Sequence, residues 1–451
     1  MAKKLGQHTV SRRNFLRIAA AGVGGIGAAS LLSACGGIGA PSAPASSGDT
    51  EAPAQLGVAQ ETVEVWFWDD SLAAATPGFE KLHPNIKVDF KKLSYDDTHQ
   101  KLLTSLAAGS GAPDVCALEI GKVGMFTNKG GLVDLTSGAF AEGAKYKADM
   151  VEYKWVQGST SDGRLIAMPW DVGPAAVWYR VDKFEAAGLE TDPEKLQEMV
   201  QTWDDWMEIG RKLKAATPQT SIMADAGTEI FTAMVEQQGH GWFRDGKVVI
   251  VEKGTPALEK AVEFRKNKID ADVPWWGADF QAAMQQGALG GMIIACWMQG
   301  GMTRDHPDTV GKWRIIRAPG GDFNWGGSFL SIPEQSKKQE SAWKYLQYIC
   351  CTAEGQNAIF KNSGVYPAYR PAWDDPIYDE PVPFYGGQRA FRIWLEISDK
   401  VPTNLVSPHD QEAGDIVGAE VTKAMKEGKD PAQAMKDAQE TLLKQVPGLS
   451  A

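Results

Sequence analysis

The chain has 451 residues, about three times a usual domain, so two or three domains are expected; 43% apolar and 23% charged residues exclude a wholly disordered or collagen-like chain. Lys plus Arg total 46 against 57 Asp plus Glu, a net charge of −11, and without a basic block the cationic footprint that nucleic acid needs is missing. Five cysteines with no C-x-x-C pair are too few for a disulfide framework and give a structural zinc site no support.

Residues 1–34 carry five basic side chains (Lys3, Lys4, Arg12, Arg13, Arg17) and no acid, so the chain beyond them has 41 basic against 57 acidic residues. Ser11 to Arg17 resembles a twin-arginine export motif, with Arg12 and Arg13 as its pair. The apolar run Ile18 to Leu32 is shorter than the roughly 20 residues that span a bilayer, but it suits a signal-peptide core. It ends in Leu32-Ser33-Ala34-Cys35-Gly36, which resembles the lipobox of bacterial lipoproteins. There the cysteine sulfur receives a diacylglycerol and becomes the new N-terminus. The resemblance therefore implies a signal peptide over 1–34, lipidation at Cys35 and a membrane anchor. Residues 35–60, rich in Ala, Gly, Pro and Ser without apolar periodicity, read as a flexible tether with a reach of ~25–30 Å.

The folded body begins at Glu61. Glu61 to Trp68 is β-branched and aromatic and predicts a strand that Asp69-Asp70 end. A helix follows over Leu72 to His83, then a strand over Ile86 to Leu93 with Ile86, Val88 and Phe90 inward. Tyr95 to Ala108 predicts a helix stopped by Gly109, and Asp114 to Leu118 a third strand ending at Glu119. Such alternation implies β-α-β units and a largely parallel sheet, with ligand bound beyond the carboxyl ends of its strands. Further strands are predicted over Arg164 to Met168, Ala175 to Val181, Leu289 to Trp297 and Ser328 to Ile332. Thr202 to Asp205 has the form of a capping box, with Trp206, Ile209 and Leu213 as the helix's apolar stripe. Glu340 to Thr352 predicts another helix, and Asp430-Pro431 opens the last.

Several stretches resemble the extracellular solute-binding proteins of ABC importers, in particular their sugar-binding group. These are Phe79 to Val88, Gln100 to Ser110 with Pro113-Asp114-Val115, Gly130 to Leu135, Gly163 to Trp170 and Val177 to Arg180 with Lys183-Phe184 and Ala187-Gly188-Leu189. Gly287 to Trp297, Gly326-Gly327-Ser328 and Ala342 to Leu346 continue the pattern, while Arg180 stands where the family usually has Asn. The resemblance implies an α/β fold of two lobes with three interlobe crossings and a central ligand cleft. On that pattern one lobe takes 61–169 plus 296–329 and the other 170–295 plus 330–451. The first crossing is expected at Gly163 to Trp170, the second at Gly287 to Trp297 and the third at Gly326-Gly327-Ser328 with Ile332 and Ala342 to Leu346. Met168 to Pro174 and Gly290-Gly291 are the expected hinges. The implied partners are a small ligand, a sugar in the first instance, and the permease subunits of an ABC transporter. The protein is expected to act as a monomer without cofactor or metal.

A sugar site needs flat aromatic faces for C–H bonds and side chains that accept hydrogen bonds from hydroxyls. Trp68, Asp69 and Asp70 at the first strand end, Glu119 at the third, and Trp170 with Asp171 at the first crossing combine the two kinds. Trp275-Trp276, adjacent large aromatics in a Pro/Gly-flanked loop, Trp297, and Trp325 with Gly326 and Gly327 complete the candidate ligand contacts. Tyr366 joins them on a loose family pattern. Trp203, Trp206 and Trp343 lie on helix faces and are expected in the core. Cys116 and Cys296 are left open between a disulfide and free thiols. Two other functions fit the same residues: transport of a cation such as a polyamine, through aromatic faces and carboxylates, and glycoside hydrolysis by Asp171 with Glu119.

Overall fold

The computed structural model describes residues 60–451, apart from positions 240 and 404. The expected signal peptide, Arg12, Arg13, Cys35 and linker residues 36–59 lie outside the described residues. No helix among the described residues is long and apolar enough to cross a membrane.

β1 (Glu61–Phe67), β2 (Ile86–Lys92) and β3 (Val115–Glu119) form where the alternation places them, with β1 parallel to both neighbours. The two-residue period then decides which core each side chain joins. Val63, Val65 and Phe67 enter one core while Trp66 enters another, and Val115 and Ala117 likewise oppose Cys116 and Leu118. Ser94 starts the helix Tyr95–Ala108 by accepting from the Asp97 amide, and Gly109 ends it in the left-handed region. The Thr202–Asp205 capping box is present at the head of helix Trp203–Ala216. Trp203, Trp206 and Trp343 are buried as expected.

Next come β4 (Met168–Pro169), β5 (Asp171–Val172), β6 (Pro174–Arg180) and the hairpin β7 (Phe243–Arg244) with β8 (Lys247–Val248). They are followed by β9 (Gly291–Ala295), β10 (Trp313–Ile316), β11 (Phe323–Asn324), β12 (Ser328–Ser331) and β13 (Tyr366–Pro367). Two main sheets result. The first runs β2-β1-β3-β12-β4; the second centres on β6, with β9 along one edge and β10 and β11 along the other.

The expectation of largely parallel sheets holds only for β1 to β3. β12 is antiparallel to β3 and to β4, and β6 is antiparallel to all its partners. The cause is direction of arrival: β12 starts opposite Glu119 and β6 starts opposite Asn324, so both begin where the other strands end.

The crossings also differ from expectation at one point. The chain passes between the sheets at 168–174 and at 325–327, and a third time after residue 363, where β13 pairs with β5. Gly287 to Trp297 does not cross: β9 pairs with β6, and after a helix (Met298–Asp305) β10 returns to the same sheet. The expected lobe boundaries shift accordingly. Residues 313–324 pair with β6 rather than with the first sheet, and helix Gln339–Cys351 packs on β1, β4 and β12. The expected hinge at Gly290-Gly291 sits beside or within a strand, and its glycines serve close packing. A Cβ on Gly291 would stand 2.7 Å from the Ile222 carbonyl oxygen and 2.9 Å from that of Trp178.

Helices Ala226–Glu236, Ile250–Lys266, Asp410–Glu427 and Pro431–Gln445 pack around the second sheet's outer core. Cys116, Cys296, Cys350 and Cys351 are buried free thiols. Cys116 and Cys296 belong to different cores.

Candidate functional site

β1, β3, β9 and β11 finish at the junction between the sheets, and β6 and β12 start there. Chain direction alone thus delivers Trp68, Glu119, Trp297 and Trp325 to Gly327 to one locus, beyond the strand ends where α/β sheets bind ligands.

On the first-sheet side Trp68 is half-buried, stacked on His99 with ring centroids 5.4 Å apart and edge-on to Tyr95 at 5.6 Å. The Tyr95 hydroxyl donates to Glu119 Oε2 at 2.8 Å, and the Gly121 amide donates to the same oxygen at 2.7 Å. Oε1 lies 3.9 Å from where a Cβ on Gly326 would stand, so the carboxylate turns its other oxygen toward the crossing segment. His99 Nε2 accepts from the Glu119 amide at 3.0 Å; Nδ1 therefore carries the proton and donates to the Tyr95 carbonyl at 2.7 Å. Burial lowers the imidazole to about 4, which keeps it neutral. Burial, with the Glu119 charge beside it, pushes the Tyr95 phenol up, so it remains a donor.

On the other side of Gly326 stand four tryptophans. Trp297 Nε1 donates to the Trp325 carbonyl at 2.8 Å and lies 3.0 Å from a Cβ position on Gly326, whose φ is +104°. Only glycine suits that conformation at that distance. Trp276 stacks on Trp297 at 5.7 Å and 25°, while Trp275 stacks on Phe280 at 4.7 Å and comes within 6.2 Å of Trp325. Trp276 is 64% exposed and holds φ at +68°. For a bulky residue that backbone region costs on the order of 1–3 kcal/mol, a strain that stacking on Trp297 helps to hold.

Beneath the glycines lies a buried polar layer. Asp171 accepts from the Ser328 amide through Oδ1. Asn324 accepts from the Tyr153 hydroxyl at 2.9 Å and the Gly173 amide at 3.2 Å, and donates to the Gly326 carbonyl at 2.7 Å. Both side chains tie the passage at 168–174 to the passage at 325–327. Lys154, fully buried, places Nζ 3.7 Å from the centre of the Phe329 ring. Burial drives the Asp171 acid up and the Lys154 ammonium down, and the charge of each opposes the shift of the other.

Of the candidate residues, Trp68, Glu119, Trp275, Trp276, Trp297, Trp325 and Gly326 gather at one locus, Trp68 reaching Glu119 through Tyr95, with Gly327 and Asp171 under them. Four others do something else. Asp69 accepts from the amide and hydroxyl of Ser71, closing a local turn, and Asp70 pairs with Lys92 at the surface. Tyr366 is 0% exposed, enclosed by Phe360, Phe391 and Trp394, so it packs the core and lines no cleft. Trp170 is also buried, edge-on to Phe67. The sequence reading overlooked Tyr95, His99, Asn324 and Lys154. Tyr95 and His99 sit four apart on one helix, a spacing that places them on one face; Lys154 and Asn324 carry no such local signal.

This α/β body, with an aromatic and carboxylate-bearing site where its two lobes meet, has the form of a solute receptor. The chain belongs to the family of bacterial extracellular solute-binding proteins, which it matches over residues 66–350. It is 27% identical over 360 residues to the lactose-binding protein of Rhizobium radiobacter, covering 75% of this chain and 81% of that one. It is 26% identical over 383 residues to the arabinooligosaccharide-binding protein of Bacillus subtilis strain 168, covering 79% and 85%. Among solved structures it resembles the ABC transporter associated binding protein of B. animalis subsp. lactis Bl-04 in complex with beta-1,6-galactobiose. The TM-score there is 0.70 at 23% identity, over 86% of this chain and 97% of the other.

Proposed function

We propose that the protein captures a neutral sugar, and in particular a short oligosaccharide, in the interlobe site and hands it to the permease of an ABC importer. Lipidated Cys35, reached after twin-arginine export, tethers it outside the cell membrane on this reading, and the chain works as a monomer. The lobes that suit this role are 61–169 with 328–375, and 170–324 with 376–451, since Val151 and Asp149 bond the backbone of Ala368 and Arg370.

The observation that carries the reading is the meeting of Glu119 and the Trp297–Trp276 stack across Gly326. An acceptor oxygen beside flat aromatic faces is the chemistry a pyranose or furanose needs. The relatives named above are binding proteins for lactose and arabinooligosaccharides, which supports the same class. The cation reading is weakened by what the carboxylates already do: Asp70 pairs with Lys92, and Asp171 is buried and accepts from the Ser328 amide. Hydrolysis is weakened because Asp171 is buried and committed to the Ser328 amide.

The test is a thermal-shift screen with lactose, β-1,6-galactobiose, arabino-oligosaccharides and spermidine. A ligand at 100 times its dissociation constant adds about 2.7 kcal/mol to the native state. A sugar hit whose affinity is unchanged by salt supports the reading; stabilisation by spermidine alone, lost in high salt, overturns it.

A further inference from the structure

Lys154 lies outside the wall of the site and is nevertheless built into it. It belongs to the short helix Glu152–Gln157, is 0% exposed, and its Nζ makes no hydrogen bond among the described residues. Nζ stands 2.7 Å from where a Cβ on Gly327 would be, so any side chain at 327 would collide with it. An ammonium buried without an acceptor is costly, and a counter-charge close by is what makes it tolerable. The Asp171 backbone crowds the same position at Gly327, its carbonyl oxygen 3.3 Å from that Cβ, so Asp171 is the neighbouring counter-charge, with Glu119 second.

The backbone around Lys154 gives the arrangement a purpose. Asp171 Oδ1 takes the Ser328 amide, the Trp170 amide donates to the Ser328 carbonyl at 3.3 Å, and the Ile120 amide donates to the Gly327 carbonyl at 3.1 Å. Gly327 and Ser328 are therefore held from two sides, by Asp171 with its neighbour Trp170 and by Ile120 beside Glu119. Around Asp171 the other ionisable groups are Glu119 and Asp69, whose charges oppose its ionisation, and the buried, neutral Tyr153, Cys296 and Cys350. Lys154 is the one group among these that favours the carboxylate's charge.

We propose that Lys154 is a positioning residue for ligand capture: it holds Asp171 ionised so that the carboxylate clamps the Ser328 amide and fixes Gly326-Gly327 between Glu119 and the tryptophans. An ionised acceptor binds an amide about twice as strongly as a neutral one, so the clamp loosens when Asp171 takes a proton. Since the acid's charged form exists above its titration point, the clamp is present at high pH and lost as pH falls. Removing Lys154 moves that loss to higher pH.

The test compares wild type with Lys154→Met by amide hydrogen exchange across pH, reading the Ser328 amide with the Leu330 amide as internal control, and by titration with lactose as the probe. Loss of the clamp should cut Ser328 protection at pH 7 about tenfold, the scale of one buried hydrogen bond, with Leu330 unchanged. The midpoint of the pH profile should move upward, and lactose affinity should fall in parallel. Equal loss at both amides, or an unmoved midpoint, overturns the proposal. Lys154→Met/Asp171→Asn removes both charges and keeps an acceptor for Ser328. It should hold Ser328 protection at the low level of the protonated acid and flatten the pH profile, and it decides the matter should the single variant fail to fold; protection equal to that of wild type at pH 7, or protection that still titrates, overturns the proposal. The binding readout rests on the sugar reading. If wild type ignores lactose, that reading suffers alone, because the exchange measurement needs no ligand.

Discussion

Glu119 enters the site with one oxygen held by Tyr95 and Gly121, so its position does not have to be fixed at the moment of binding. Glu119→Gln keeps the shape and removes the charge. Sugar affinity should fall about 10- to 100-fold, the span for hydrogen bonds to charged groups, as read by calorimetric titration; an unchanged affinity would remove Glu119 from the site. Trp276 projects beyond the enclosed aromatics, so Trp276→Ala should weaken binding of trisaccharides and longer chains while sparing a monosaccharide. Equal loss for both would place it at the centre of the site. His99 makes a prediction of a different kind. Its folded value of about 4 lies below the unfolded value near 6.5, so the unfolded chain binds the extra proton between them. Stability therefore falls through this residue as pH drops from 6.5 to 4, and His99→Gln should lose less over that window in urea titrations at successive pH values. The position of Glu119 and Trp297 at the junction was legible because they end predicted strands, whereas the burial of Tyr366 was not, because Gly-Val-Tyr-Pro says nothing about which side of a two-residue strand faces inward.

Elements with a clear period or cap were the readable part of the fold. β1, β2, β3 and β6 follow from alternation and composition, and helix Trp203–Ala216 from its capping box. Thr202→Ala should remove about 1 kcal/mol, the usual worth of such a cap, in chemical denaturation. What local sequence did not convey is which sheet a strand joins. Gly287 to Trp297 has the same apolar, glycine-punctuated composition whether it crosses or turns back, and long-range pairing with β6 decides it. The glycines there report crowding: Gly291→Ala would press a methyl against two backbone carbonyls that have no rotamer to yield. A loss of about 1–3 kcal/mol is expected, as for other overpacked sites. A variant as stable as wild type would show that β9 has freedom to move after all.

At the scale of the molecule, the order of strands in the first sheet matters more than their number. β12, residues 328–331, lies between β3 and β4, both of which precede it by well over a hundred residues. A chain ending at residue 300 holds β3 and β4 with nothing to join them, and should show neither a cooperative thermal transition nor resistance to protease. The second sheet's outer core waits longer still, for helices Asp410–Glu427 and Pro431–Gln445. During synthesis, then, the growing polypeptide has no finished lobe to lock in early. Ligand-binding competence arrives almost all at once, near the last codon, and the cell must shelter more than three hundred residues of chain, unpaired apolar strands among them, until the missing middle piece emerges from the ribosome.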